Sequence, residues 1–348
     1  VPGTLKLKIA LLLLIATFSA IAAPRGDVLY EKNCGACHGL DGSGGVGIPL
    51  SLPSFQASVD DNFLFSTIRH GRPGRVMPAF KALGDAQVNA IVRHIRSLAP
   101  GIKPVTFDNK KVISGNVTNG KKLYSENCAQ CHGANGEGGH GTGVTFSRPR
   151  DLPIIAPALN NGGFLAAASD EMIRHTITHG RRGTPMQAFG RKGQNEAEIN
   201  DIVTYIRSFE HAKHWEPIAV DEATISMESS YSLEETIDNL HRAAIGKNFK
   251  IIRTQNLEDG MFPEEEQSKH SVIVYFCNFS FVNRAINIDP RVGLFLPCRI
   301  TVSERDGIVT LTSINPRYLS RFYNNSELDT ACSEMYDIYV DIMEEATL

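Results

Sequence analysis

Residues 30–45 read YEKNCGACHGLDGSGG, and residues 124–139 read YSENCAQCHGANGEGG. Each stretch holds C-x-x-C-H: Cys34, Cys37 and His38, then Cys128, Cys131 and His132. Two cysteines at this spacing each form a thioether to one vinyl group of the same porphyrin, and the next histidine then lies under the iron. This is the attachment pattern of c-type haem. A zinc knuckle would want further Cys or His partners at ligand spacing, and a redox dithiol has no use for His in that place. The pattern predicts two covalently bound haem c groups. Cys34, Cys37, Cys128 and Cys131 attach them, and His38 and His132 are the iron ligands.

The repeat extends beyond the motifs. FLFSTIRHGRPGRVMPAF at 63–80 answers MIRHTITHGRRGTPMQAF at 172–189, and DAQVNAIVRHIRSL at 85–98 answers EAEINDIVTYIRSF at 196–209. The apolar spacing of Val88, Ile91, Val92, Ile95 and Leu98, and of Ile199, Ile202, Val203, Ile206 and Phe209, predicts a packed helix closing each copy. Asp85 is expected to cap the first of these and Pro100 to stop it. The second copy carries extra residues within 140–170, rich in Pro, Asn and Gly, which read as a surface loop. The glycines after each motif (Gly42, Gly44, Gly45; Gly136, Gly138, Gly139) let the backbone pass close to a porphyrin edge.

An iron held by His on one face needs a partner on the other. Met77 and Met186 sit at matching places beside a proline and are the candidate axial ligands. Met opposite His raises the reduction potential, and a six-coordinate iron leaves no place for substrate. His70 and His179, also matched, are the alternative ligands, or they end a helix. Arg72 and Arg181 follow His-Gly in both copies and are candidate contacts to haem propionates, with exposed arginine the alternative.

Lys6 and Lys8, the apolar run from Ile9 to Phe18 and the small residues SAIAAP read as a signal peptide over 1–22, cleaved after Ala22 or, nearly as well, after Ala23, with an uncleaved anchor as the alternative. The run is short for a membrane span, which needs about 20 residues. No stable span is therefore expected after cleavage, and the mean hydropathy of -0.15 fits a soluble chain. Thioether-bound haem also requires export, so the expected location is a bacterial periplasm.

From residue 225 the texture changes. SLEETIDNLHRAAIGKN predicts a helix with Ser232 as N-cap and Glu235 closing a capping box. FKIIRTQ, SVIVYFCN, PCRITVSE and GIVTLTSI predict strands, ERDG at 304–307 a hairpin turn, and about 329–346 a long helix. Cys277 and Cys298 either pair across the sheet or, with Cys332, pack as buried thiols. The charge also divides. Residues 24–216 hold 22 Lys+Arg against 17 Asp+Glu, and residues 217–348 hold 11 against 21. The acidic tail reads as a solvated surface first and as a docking face second. Nothing suggests nucleic-acid binding.

The fold class expected is multidomain: two all-α cytochrome c lobes followed by a small α+β domain. The divisions are 24–100 and 116–211 for the lobes, 101–115 and 212–224 for linkers, and 225–348 for the tail. On CGACHG with Met77 and CAQCHG with Met186, the chain resembles class I cytochrome c twice over, in the manner of the dihaem c-four type and the dihaem subunits of sulfide-oxidising enzymes. SLEETIDNLHRAAIGKNFKII and DPRVGLFLPCRITVSERDGIVTL resemble a domain of unknown function, number 302, some of whose members dimerise. The resemblance implies an electron carrier between redox protein partners, a dehydrogenase donor and an oxidase or reductase acceptor. The tail would then be a docking module or a site of homodimerisation. The alternative is an enzyme. A thiosulfate dehydrogenase would want Cys as an axial ligand, yet all four cysteines of the lobes lie inside C-x-x-C-H. A dihaem peroxidase would want His70 or His179 in place of a Met.

Overall fold

The computed structural model describes residues 23–141, 155–191, 193–220 and 222–348. The stretch read as a signal peptide lies outside them. No helix among the described residues is long and apolar enough to cross a membrane.

The first lobe runs α1 (Gly26–Asn33), α2 (Gly35–His38), α3 (Pro53–Ser58), α4 (Asp61–His70) and α5 (Asp85–Ser97). The second repeats this order as α6 (Val117–Asn127), α7 (Ala129–His132), α8 (Gly162–Ala167), α9 (Asp170–His179) and α10 (Glu196–Ser208). In each lobe the first helix crosses the last at a glycine. A Cβ on Gly26 would stand 2.0 Å from the Ala90 carbonyl oxygen, and one on Gly120 would stand 2.0 Å from that of Asp201. No side chain fits there, so the helices cross backbone to backbone.

The repeated Ile-Arg-Ser of the closing helices also has a structural use. Arg96 donates to the Gln56 and Val59 carbonyls and pairs with Asp61 at 2.7 Å. Arg207 donates to the Leu165 and Ala168 carbonyls and pairs with Asp170. Each arginine thereby ties the closing helix to the loop before α4 or α9.

Two expectations need correction. Asp85 is the first helical residue of α5 rather than its cap. The N-cap is Gly84, whose N–H is bonded by the Gln87 side chain at 2.8 Å, while Asp85 pairs with Arg69. The added segment of the second copy is not all surface loop. Its residues 142–154 lie outside the described chain, but Asn161 caps α8, whose Phe164, Leu165 and Ala167 are buried. Asn161 is the cap and Gly162 and Gly163 open the helix, so the apolar residues that follow them enter the core.

One apolar cluster runs through both lobes, and the connection between them belongs to it. Phe107 and Ile113 are buried in it, and the Ile113 N–H donates to Asp170 at 2.7 Å. The lobes meet reciprocally. Arg72 lies over the Phe164 ring of the second lobe at 5.8 Å, and Arg181 lies over the Phe55 ring of the first at 5.3 Å. Phe55 and Phe164 occupy corresponding helices, α3 and α8, so one contact is made twice.

The tail is a five-stranded antiparallel sheet in the order β1-β5-β4-β3-β2. Its strands are β1 (Thr224–Ser229), β2 (Lys250–Asn256), β3 (Ser271–Cys277), β4 (Cys298–Arg305) and β5 (Ile308–Ile314). Val274, Phe276, Ile300, Val302, Val309 and Leu311 pack with α11 (Leu233–Gly246) and α14 (Leu328–Thr347) in a second core. The capping box at Ser232 and Glu235 is present. Asp306 and Gly307 turn the β4–β5 hairpin with φ of 55° and 79°, the paired positive values a two-residue turn requires. α12 (Phe279–Ile288) and α13 (Arg317–Phe322) complete the domain.

The tail cysteines are free. Phe276 pairs with Cys298 in the β3–β4 register, so Cys277, one residue on, points to the other face. That alternation is why no bridge spans the pair. Burial pushes the Cys277 thiol up to about 11 and the Cys332 thiol up to about 12. Leu240 is fully buried between the sheet and α14. Leu240→Ala is expected to destabilise the tail by about 2–5 kcal/mol, read from urea unfolding followed by circular dichroism.

Candidate functional site

Each C-x-x-C-H is wound into one helical turn. Cys34 N–H donates to Tyr30 O at 2.8 Å and His38 N–H to Cys34 O at 2.9 Å, and Cys128 and His132 repeat both bonds at the same distances. The tyrosine four residues before the first cysteine closes the turn from outside. Tyr30 Oη donates to Gly39 O, and Tyr124 Oη to Gly133 O, both at 2.9 Å. Burial pushes the Cys34 and Cys128 thiols up to about 11.

A backbone carbonyl orients each imidazole. His38 Nδ1 lies 2.8 Å from Ile48 O, and His132 Nδ1 lies 2.9 Å from Pro157 O. A carbonyl only accepts, so Nδ1 carries the proton and the lone pair of the neutral ring falls on Nε2, the atom an iron ligand needs. Burial, with the charge of Arg181 nearby, holds His132 below the usual imidazole range and favours that neutral form. Gly47, which sequence reasoning missed, makes room for the first ring. A Cβ there would stand 2.6 Å from His38 Cε1. Its signal was only a further glycine after the three already noted.

Met77 and Met186 are half-buried against the shared core in equivalent turns. Arg72 N–H donates to Met77 O at 2.8 Å, and Arg181 N–H to Met186 O at 2.9 Å. His70 and His179 end α4 and α9. His70 is exposed, and His179 bonds the His175 carbonyl of its own helix at 3.0 Å and stacks on that ring.

The two arginines differ. Arg72 donates to Thr67 Oγ1, Gly71 O and, across the lobe boundary, Gly163 O at 3.0 Å. Arg181 stacks on Phe55, and its buried Nε has no partner among the described residues. Desolvation pushes both guanidiniums down to about 10, so both stay charged at neutral pH. A buried cation beside His132 with an unmet donor fits a group that brings a carboxylate, as a haem propionate does. The attachment turns, the oriented imidazoles and this donor therefore fit haem c.

Residues 22–95 and 115–206 match the family model for cytochrome c oxidase, cbb3-type, subunit III, and residues 225–346 match the domain of unknown function DUF302. The chain is thus a tandem cytochrome c fused to that domain, and the cytochrome c match implies covalently bound haem c. A cbb3-type cytochrome c oxidase subunit CcoP of Azospirillum sp. (strain B510) is 28% identical over 53% of this chain and 60% of its own length. Subunit FixP of Azorhizobium caulinodans is 29% identical over 54% of this chain and 60% of its own length. The chain therefore spans about 60% of the length of these curated relatives. A DUF302 protein from Bacillus stearothermophilus aligns with 36% of the chain and 98% of its own at 20% identity, with a TM-score of 0.33.

Gly47→Ala drives a methyl into the His38 ring. It is expected to break the Nδ1 bond to Ile48, at about 1 kcal/mol, and to lower the haem-to-protein ratio of the purified protein, measured by pyridine haemochrome. A ratio equal to that of the unaltered protein would show that Gly47 does not hold this ring.

Proposed function

We propose that this chain is a periplasmic dihaem c-type cytochrome that moves electrons one at a time between redox protein partners. The observation that carries the reading is that each C-x-x-C-H turn comes with both an oriented imidazole and a matched methionine turn. Haem c, when bound, supplies a one-electron iron couple. Cys34 and Cys37, and Cys128 and Cys131, would attach the two groups. His38 with Met77, and His132 with Met186, would be the ligand pairs. A thioether is a weak donor that favours reduced iron, so this pairing gives a relatively high potential and closes the iron to substrate. Arg181, with its unmet donor, would offset propionate charge, whereas Arg72, already bonded by protein groups, would contribute more to joining the lobes. The shared core and the reciprocal Arg–Phe contacts support a fixed relay between the two groups.

The names of the relatives favour a more specific version, in which the chain delivers electrons within or to a terminal oxidase. Export to the periplasm rests on residues 1–22 and on the chemistry of thioether attachment.

The test is a potentiometric titration of the holoprotein with optical detection of the far-red band of Met-ligated ferric haem. The unaltered protein is expected to show two high-potential haems. Met77→Ala and Met186→Ala are each expected to remove about half of that band and to lower one potential only. If neither variant changes the spectrum, Met77 and Met186 are not the ligands and the reading of a high-potential Met/His carrier falls.

A further inference from the structure

The tail domain is seated on the Met77 turn. Asn324, in the loop between α13 and α14, donates from Nδ2 to Met77 O at 2.9 Å and to Arg72 O at 3.0 Å. Its Oδ1 accepts from Gly74 N–H at 3.1 Å, and its backbone carbonyl accepts from Val76 N–H at 2.6 Å. Ser326 donates to Gly74 O through both N–H and Oγ at 3.0 Å. Glu327 pairs with Arg75 at 2.5 Å and accepts from Gly141 N–H of the second lobe at 2.9 Å. Trp215 lies against Gly74 and donates to Asp329 at 2.6 Å.

This loop is braced from inside the tail. Asn325 is buried and donates to Asp289, which is itself fully buried and paired with Arg291. Tyr323 Oη donates to the Arg291 carbonyl at 2.6 Å. Asn324 has a φ of 49°, a left-handed conformation that Asn tolerates. The groups that hold the Met77 turn are therefore fixed to the tail core.

The two methionine turns are built differently. Val76, just before Met77, has a φ of 71°, a left-handed conformation that strains a β-branched residue. The matching residue before Met186 is Pro185, whose ring fixes its own φ. Among the described residues, the bonds that close the second turn come from Arg181 and Thr184 of that lobe. One turn is stiffened by its own sequence, and the other is held by a separate domain.

We infer that the tail domain positions the axial ligand of the first haem: Asn324, Ser326 and Glu327 hold the strained Arg72–Met77 turn so that the Met77 thioether stays on the iron. These are positioning residues, since their bonds are to the groups of the turn around Met77 and not to its thioether. The inference rests on the reading of Met77 as a ligand and goes beyond it by giving residues 225–348 a role.

The experiment uses full-length holoprotein and two variants. Asn324→Gly keeps the left-handed backbone and removes three side-chain bonds. Glu327→Gln keeps the shape and removes the charge pair with Arg75. Circular dichroism checks folding, and the second haem serves as an internal reference. Imidazole binding to ferric haem, the far-red band and both potentials are read. Loss of several hydrogen bonds of about 1 kcal/mol each is expected to strengthen imidazole binding at the first haem by about tenfold or more. Part of its far-red band should be lost and its potential should fall, with the second haem unchanged. If Met77→Ala shows Met77 to be a ligand and both variants match the unaltered protein at both haems, the positioning inference is overturned while the carrier reading stands. If Met77→Ala leaves band and potential unchanged, the reading of Met77 as a ligand is overturned and the positioning inference with it. Equal changes at the two haems would also overturn the inference, because a general loosening of the fold predicts them.

Discussion

Each lobe depends on a crossing too close for any side chain. Gly26 passes over the Ala90 carbonyl and Gly120 over that of Asp201, so the helix that leads into C-x-x-C-H is fixed against the helix that closes the lobe. Everything functional hangs from that crossing. The first helix ends in the cysteine turn, which sets the imidazole. The closing helix carries Arg96 or Arg207, which ties down the start of the helix leading to the methionine turn. In each lobe the candidate histidine thus follows the first helix of the pair, and the candidate methionine follows a helix tied to the second.

The lobes are copies, but their surroundings are not. Arg72 and Arg181 make the same cation–π contact across the boundary, yet Arg72 finds backbone carbonyls while Arg181 keeps an unmet buried donor. The tail meets both lobes through Glu327, whose carboxylate faces Arg75 of the first and the Gly141 N–H of the second. The division of charge between haem region and tail becomes, at this place, a half-buried ion pair. Such a pair gains strength from the low dielectric around it only because the hydrogen bonds beside it are also satisfied.

Much of this was legible in the residues. Period and caps gave α5, α10 and α11, because an apolar stripe at helical spacing and a Ser-x-x-Glu box are local features. The hairpin at 304–307 followed from Asp-Gly. Where the reading slipped, a neighbour in space decided. Asp85 looked like a cap but pairs with Arg69, and the glycine-rich start of 162–167 hid a buried helix that Arg207 secures from 39 residues away at Ala168. Cys277 and Cys298 looked close enough to join, but a register of one residue sends them to opposite faces of the sheet.

The sequence by itself determined the attachment chemistry, because thioether and imidazole ligation need a fixed order of side chains within five residues. It also determined that the lobe occurs twice and that a different domain follows. Only the tertiary structure decided which atoms aim the imidazoles, since the Ile48 and Pro157 carbonyls have no side-chain signature. It also decided where the tail sits. Asn324 and Met77 are 247 residues apart, and a bond from an amide to a backbone oxygen leaves no trace in either residue's type. Local chemistry is written in residue order, and long-range positioning is carried by backbone groups that every residue shares.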